Sequence, residues 1–241
     1  MSERSASPGT LYLVPVPLGD NDPRAVLPSS TLDIARQLDS FVAESSKAAR
    51  KFLKAIGHPR ALRDIAISVL DEHSGDRDVE SLLTLLLAGN NCGLVSEAGC
   101  PAVADPGAAL VRRAHACGVP VVPLIGPSSI LLALMASGMD GQRFAFHGYL
   151  PVDAAARAKM LRALESRAAD ETQIFIETPY RNAAMVQAML VHCRRDTLLC
   201  IAVNLTLPSE SVLTRSIADW TKQPPDLARR PAVYLLWRRS P

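Results

Sequence analysis

His73 is a residue whose type and position could support proton transfer, since it follows a short apolar segment, 66–70, that is typical of a strand. An imidazole changes its protonation state near neutral pH, so a histidine that faces a cleft can act as a general base. The alternative is a surface histidine that only orients its neighbours. Both interpretations stay open, because a catalytic base is judged by its geometry first.

A loop with the composition of a ligand-binding site spans residues 92–107. The strand-like pair Leu94 and Val95 gives way there to small, turn-forming residues, and a helix is predicted directly afterwards. Ligands of α/β proteins bind where such loops leave the carboxyl ends of strands. Gly99 and Gly107 would let the backbone approach a ligand closely. An ordinary turn between a strand and a helix is the alternative, which this composition alone does not exclude.

The run Ser-Glu-Ala-Gly-Cys-Pro-Ala-Val-Ala-Asp-Pro-Gly at 96–107 resembles the SDAGtPxxSDPG signature of the tetrapyrrole (corrin/porphyrin) methylase superfamily. Within it, the chain is most similar to the ribosomal RNA small subunit methyltransferase I family, which methylates a ribose 2′-hydroxyl with S-adenosylmethionine. The resemblance extends from Gly9 to about Leu236. It implies a two-domain α/β fold with the cofactor cleft between the domains, a homodimer, and ribosomal RNA or the small ribosomal subunit as partner.

The resemblance also implies which residues hold S-adenosylmethionine, namely small, apolar and hydroxyl-bearing residues of several loops. These residues are Leu18, Ser96, Ala98, Gly99, Cys100, Val103, Ser128, Ser129, Glu177, Thr178, Ala202, Pro231 and Ala232. Ser128 and Ser129 could equally cap the helix predicted to follow them. Glu177 and Arg181 are expected to form an ion pair. No metal site is needed for this chemistry, and the spacing of His and Cys residues shows none.

Three side chains are candidates for a catalytic base: Glu44, Lys47 and His73. Methyl transfer from a sulfonium proceeds in line with the breaking S–C bond, so the enzyme has to hold the acceptor oxygen about 3–3.5 Å from the methyl carbon. A base that removes the proton of an acceptor hydroxyl typically adds about 10²–10⁴-fold to the rate. The sequence does not rank the three candidates.

Three stretches depart from the pattern of the ribosomal RNA methylases. Residues 43–47 read Ala-Glu-Ser-Ser-Lys in place of Ala-Glu-Asp-Thr-Arg, Val203 and Asn204 replace an Arg-Glu pair, and 229–231 read Arg-Arg-Pro in place of Lys-Gly-Glu. A lysine offers phosphate a point charge, whereas an arginine offers a planar fork. These losses keep two alternatives open. One is a methylase of the same fold that acts on a tetrapyrrole carbon or another small molecule, and the other is a non-catalytic paralogue that binds the cofactor.

Strand-like and helix-like segments alternate through both halves of the chain, which predicts two α/β domains with parallel or mixed sheets. We expect a disordered segment at 1–8, an N-terminal domain at 9–123 and a C-terminal domain at 124–241. The leucine-rich helix 79–87 is expected to be buried on nearly all sides. Thr31 is expected to cap the helix that begins there.

The formal net charge of +2 argues against a protein that wraps nucleic acid mainly by charge, so RNA contact would require a local basic patch. The predicted helix 154–169 offers one, with Arg157, Lys159, Arg162 and Arg167. Five cysteines without a Cys-x-x-Cys pair favour reduced thiols in a cytoplasmic protein. No apolar stretch reaches the roughly 18 residues of a membrane span.

Overall fold

A computed structural model describes residues 7–71, 73–227 and 229–238 of the chain. The chain divides into two compact units, Met1–Ser128 and Ser129–Pro241. Each unit is built on one five-stranded sheet. The disorder expected for residues 1–8 falls mainly on 1–6, which lie outside the described residues.

The first unit has a parallel sheet with strand order β3-β2-β4-β1-β5. Its elements in chain order are β1 Leu11–Val14, α1 Pro23–Val26, α2 Ser29–Gln37, β2 Ser40–Ala43, α3 Ser46–Ala55, a 3₁₀ turn Leu62–Asp64, β3 Ala66–Val69, α4 Asp76–Leu87, β4 Cys92–Val95, α5 Gly107–Ala116 and β5 Val121–Pro123. The central strand β4 is buried along its whole length, because helices cover both faces of a parallel sheet. All five strands end at the same edge.

The second unit has a mixed sheet with strand order β6-β7-β10-β8-β9, in which only β6 and β7 run parallel among the described strands. Its elements are α6 Ser129–Ser137, β6 Phe144–Tyr149, α7 Ala154–Arg167, β7 Thr172–Glu177, a 3₁₀ turn Pro179–Arg181, α8 Asn182–His192, β8 Leu198–Val203, β9 Ser211–Ser216, α9 Ile217–Lys222 and β10 Ala232–Trp237. Phe175 and Tyr234 stack in its core with ring centroids 5.6 Å apart. The predicted α/β fold with parallel and mixed sheets is confirmed.

Two local predictions are wrong. In α4, Leu85 and Leu87 are 44% and 43% exposed, because the helix covers the sheet with one face only and its buried stripe is formed by other residues. Thr31 lies inside α2, where Pro28 occupies the N-cap position. The buried Thr31 hydroxyl instead donates to the carbonyl oxygen of Ile125 at 2.8 Å and so ties α2 to the segment after β5.

Candidate functional site

The carboxyl edge of the first sheet gathers three of the predicted segments. Val95 pairs with Val14 on one side and with Ala43 on the other, so β1, β2 and β4 end side by side. The chain leaves this edge into the segment that carries Leu18, into Glu44, and into the loop 96–107. The parallel register therefore places the candidate base next to the candidate ligand loop.

Gly99 is the point at which this loop joins the segment after β1. Val16 N–H donates to the Gly99 carbonyl at 2.9 Å, and Gly99 N–H donates to the Val16 carbonyl at 3.2 Å. Gly99 has φ +75°, and a Cβ atom there would lie 3.0 Å from Leu18 Cδ2 and 3.4 Å from the Pro127 carbonyl oxygen. The Cys100 thiol donates to that same oxygen at 3.4 Å. The predicted residues Leu18, Gly99 and Cys100 are thus neighbours, beside the segment that leads to Ser128.

The second half of the loop is held in an uncommon backbone conformation by Asp105. Ala102 and Ala104 have φ of 64° and 62°, a region that costs an L-residue about 1–2 kcal/mol. The Asp105 carboxylate accepts from Ala102 N–H at 2.9 Å and from Gly107 N–H at 2.8 Å. Strain of this kind concentrates where a loop is shaped for binding. Sequence analysis did not single out Asp105, although the Asp-Pro-Gly turn was a signal for it.

The remaining predicted residues of this loop have different surroundings. The Ser96 hydroxyl donates within the loop, at 3.3 Å from the Ala98 carbonyl oxygen and 3.2 Å from that of Gly99, so it shapes the loop from inside. Ala98 and Val103 are exposed. Both side chains are uncharged, and Val103 is an exposed apolar side chain on this loop.

Glu44 is half-buried and carries the most perturbed carboxylate at this edge. Burial raises its pKa to about 7, with further contributions from the negative charges of Asp105 and Glu97. Among the described residues, Glu44 has no ion-pair partner that would oppose this rise. A carboxylate whose pKa lies near the working pH can accept a proton efficiently.

The other two candidate bases are more peripheral. Lys47 is an exposed residue in the first turn of α3, and His73 is exposed beyond the end of β3. Since β3 is an edge strand and β2 lies between it and β4, His73 is further from the loop in strand order than Glu44. The geometry of this unit therefore favours Glu44 among the three candidates.

Five predicted residues come together at one end of the second sheet. Ala232 pairs with Glu177 of β7 on one side and with Val203 of β8 on the other, and Ala202 pairs with the next residue of β10. Thr178 and Pro231 adjoin these strand ends. The predicted ion pair of Glu177 with Arg181 is confirmed, with Nη2 and Oε2 2.8 Å apart.

Ser128 and Ser129 are half-buried, and Ser129 is the first residue of α6.

Asn182 supports this second group and was missed in the sequence. Its fully buried side chain accepts from the Tyr234 hydroxyl at 2.9 Å and donates to the Arg230 carbonyl at 2.7 Å. Asn182 thereby fixes the backbone directly before Pro231. An asparagine at the start of a helix gives no sign of such a contact, which spans 48 residues.

We expect Asn182→Ala to lower the free energy of unfolding by about 1–3 kcal/mol, because two buried polar groups lose their partner. Urea unfolding monitored by circular dichroism measures this loss. Tyr234→Phe is the matched partner variant, and the double variant should cost less than the sum of the single ones. Additive costs would show that the two side chains do not act together.

Two of the residues that depart from the family pattern, Ser45 and Asn204, have structural roles. The Ser45 hydroxyl caps α3 by accepting from Ala48 N–H at 3.3 Å. Asn204 has φ +51°, a conformation that asparagine tolerates better than most residues, and its amide donates to the Ser209 hydroxyl at 3.0 Å. Asn204 N–H also donates to the Pro231 carbonyl at 3.1 Å. The replacements at Ser45 and Asn204 thus keep the backbone of both groups in place.

The described residues contain neither a cluster that could bind a metal nor a membrane-spanning helix. No group of three or more His, Cys, Asp or Glu residues in the described part of the chain is arranged to hold a metal ion. No helix within 7–71, 73–227 and 229–238 has the length and apolar character needed to cross a membrane. All five cysteines are free thiols.

The chain is similar to a family of methylases and to methyltransferases that act on ribosomal RNA by name. The profile of the tetrapyrrole (corrin/porphyrin) methylases matches residues 10–220. Ribosomal RNA small subunit methyltransferase I of Xylella fastidiosa is 35% identical over 221 residues, which are 90% of this chain and 76% of the relative. The protein of the same name from Escherichia coli O157:H7 is 30% identical over 220 residues, or 90% of this chain and 73% of the relative.

Two solved structures share the fold. The methyltransferase CobJ superposes with a TM-score of 0.64 at 19% identity, covering 95% of this chain and 94% of the other. Uroporphyrin-III-C-methyltransferase from Thermus thermophilus superposes with a TM-score of 0.58 at 18% identity, covering 95% and 92%.

Proposed function

This chain belongs to the tetrapyrrole (corrin/porphyrin) methylase family and is a methyltransferase, and from this premise we propose that it methylates a ribose 2′-hydroxyl of small-subunit ribosomal RNA with S-adenosylmethionine. The observation that carries the proposal is the half-buried carboxylate of Glu44, with its pKa near 7, at the edge that bears the glycine loop. A hydroxyl is a weak nucleophile until it loses its proton, so this acceptor requires a base at the reacting centre. The names of the relatives support the choice of RNA.

The residues present fit a sulfonium donor. S-adenosylmethionine supplies a methyl group on a positively charged sulfur, and that charge disappears in the reaction. Leu18, Gly99 and Cys100 form an uncharged group, in which the absent Cβ of Gly99 lets the loop pack against Leu18 and the Pro127 carbonyl oxygen. The resemblance to the family also assigns Glu177, Thr178 and Ala232 of the second unit to donor binding.

Glu44 would accept the proton of the ribose hydroxyl while the oxygen forms its bond to the methyl carbon and the S–C bond breaks. Burial and the nearby charges of Asp105 and Glu97 make Glu44 a stronger base than an exposed carboxylate. The rate of transfer should therefore rise with pH as Glu44 loses its own proton, and level off above pH 7. A profile of kcat/KM against pH measures this; a flat profile between pH 5 and pH 9 would contradict it.

We further propose that the enzyme acts in the cytoplasm, where ribosomal subunits are available, and that it works as a homodimer. Both proposals rest on the resemblance to the ribosomal RNA methylases. Sedimentation equilibrium of the full chain would measure the mass of the assembly directly.

Transfer of a radiolabelled methyl group tests the proposed reaction. Purified protein is incubated with labelled S-adenosylmethionine and 30S subunits from a strain that lacks its own methylase, with 50S subunits as the control and a porphyrinogen as the competing acceptor. We expect label in 30S RNA, at a nucleotide that resists alkaline hydrolysis because its 2′-oxygen is blocked. Label in the porphyrinogen alone would favour the tetrapyrrole alternative, and label in no acceptor would favour the non-catalytic one.

A further inference from the structure

The exposed face of α3 carries a stripe of four cations with a regular spacing. Lys47, Arg50, Lys51 and Lys54 follow one another at i, i+3, i+4 and i+7, so they lie along one side of the helix. All four are exposed, whereas the opposite side, with Ala49, Phe52 and Leu53, is buried in the core. The packing of α3 thus fixes the direction in which this cationic stripe faces.

The stripe is largely uncompensated. The sequence of α3 contains no acidic residue, and like charges three or four residues apart destabilise a helix. Among the described residues, Lys51 pairs with Asp20 at 2.5 Å, while Lys47, Arg50 and Lys54 have no ion-pair partner. Several other cations of this unit are paired, as with Arg36 and Asp33 or Arg113 and Glu80. A merely solvated face would be expected to mix charges of both signs.

The stripe begins at the candidate site. Only Glu44 and Ser45 separate the end of β2 from α3, and Lys47 is in the first turn of the helix. From Lys47 to Lys54 the stripe is about 10 Å long, at about 1.5 Å of rise per residue. A polyanion that lies along it would have one end beside Glu44.

On the basis of the proposed function, we propose that this face of α3 binds the phosphate backbone of the substrate RNA and leads the strand to Glu44. Phosphate contacts position a nucleic acid without reading its sequence, and the point charges of lysine are sufficient for that. Lys47, which stands where the family has an arginine, is then a contact for the backbone. With a net charge of only +2 on the whole chain, such a local patch is the form that RNA binding has to take.

The basic helix α7 is less suited to this role. Arg157 donates to the carbonyl oxygen of Val152 at 2.8 Å and is occupied in holding the start of its own helix. The exposed cations Lys159, Arg162 and Arg167 do not continue one stripe, since 162 and 167 are five residues apart. Neutralising these three residues removes the same charge from the molecule as neutralising three residues of α3, which makes α7 a matched control.

The experiment measures binding of a single-stranded fragment of small-subunit ribosomal RNA as a function of salt concentration. The test variant is Lys47→Gln/Arg50→Gln/Lys54→Gln, and the control is Lys159→Gln/Arg162→Gln/Arg167→Gln. Each lost phosphate contact should reduce the slope of log K against log salt by about 0.7, so the α3 variant should lose about 2 and bind about 100-fold more weakly at about 0.1 M salt. The control should keep the wild-type slope.

Equal slopes for the wild type and the α3 variant would overturn the inference, and so would an equal loss in the control variant. Because like charges are removed from α3, the melting temperature of the variant protein should stay unchanged or rise. If the triple variant does not fold, Arg50→Gln alone should still reduce the slope by about 0.7. If the wild type methylates 30S subunits and the α3 variant keeps the wild-type salt slope, this inference alone is refuted. If the wild type neither binds nor methylates RNA, the proposed function is refuted as well.

Discussion

Glu44→Gln is expected to slow methyl transfer by about 10²–10⁴-fold, because an amide of the same shape cannot accept the proton of the acceptor hydroxyl. Binding of S-adenosylmethionine should change little, since the donor is proposed to contact the loop at Gly99. Single-turnover transfer to 30S subunits measures the rate, and calorimetry measures the donor affinity. Glu80→Gln, an exposed carboxylate on α4, is the control and should keep wild-type activity.

Glu44→Gln should also alter stability, with a pH dependence that reports the raised pKa of Glu44. The pKa of Glu44 rises from 4.5 in the unfolded chain to about 7 in the folded one, so the folded state holds the proton more tightly. The free energy of unfolding therefore falls as pH increases from 4.5 to 7 and stays lower above that range. Glu44→Gln should remove this decrease. The free energy of unfolding of the variant should exceed that of the wild type at pH 8, and this difference should be absent near pH 4. An inactive variant without this pH-dependent gain would point to simple misfolding.

Gly99→Ala should weaken binding of S-adenosylmethionine by about 10–100-fold, at about 1.4 kcal/mol for each factor of ten. An L-residue at φ +75° costs about 1–2 kcal/mol, and its Cβ would lie 3.0 Å from Leu18 Cδ2, so the loop has to move. Isothermal titration with the donor and with S-adenosylhomocysteine measures the change in Kd.

Gly118→Ala is a closely matched control for this effect. Gly118 has φ +70° at the end of α5, but nothing lies within 4 Å of the Cβ position. Both variants should lose about 1–2 kcal/mol of stability through backbone strain, and only Gly99→Ala should lose donor affinity. Wild-type affinity for S-adenosylmethionine in Gly99→Ala, or an equal loss of affinity in Gly118→Ala, would show that the loop does not bind the donor.

Much of the fold could be predicted because buried strands of a sheet covered on both sides are continuous apolar runs. β1 Leu11–Val14 and β8 Leu198–Val203 are runs of this kind. The short helices α1 and α9 were missed, since one or two turns show no period and depend on side-chain caps from Asp22 and Ser216. The exposure of Leu85 was also unpredictable, because a helix rich in leucine does not reveal which face meets the sheet.

The candidate site divides in the same way. The glycine loop and Glu44 were found because their local sequence carries the signal, a change from apolar to small residues or a family motif. Asn182 was not found, because its importance lies in a hydrogen bond to the Arg230 carbonyl, which only the folded chain brings near. Asp105 was not singled out either, although its partners Ala102 and Gly107 are close in the sequence. The sequence did not distinguish the three candidate bases. The register of β1, β2 and β4 favours Glu44, because it places the end of β2 beside the end of β4.

A crystal structure of the protein with S-adenosylhomocysteine bound would test the account most directly. We predict electron density for the ligand against the backbone of Gly99 and the side chains of Leu18 and Cys100, with Glu44 facing the position of the departed methyl group. Ligand density at another place on the chain, or an empty loop at saturating ligand, would contradict the assignment of this edge as the site of methyl transfer.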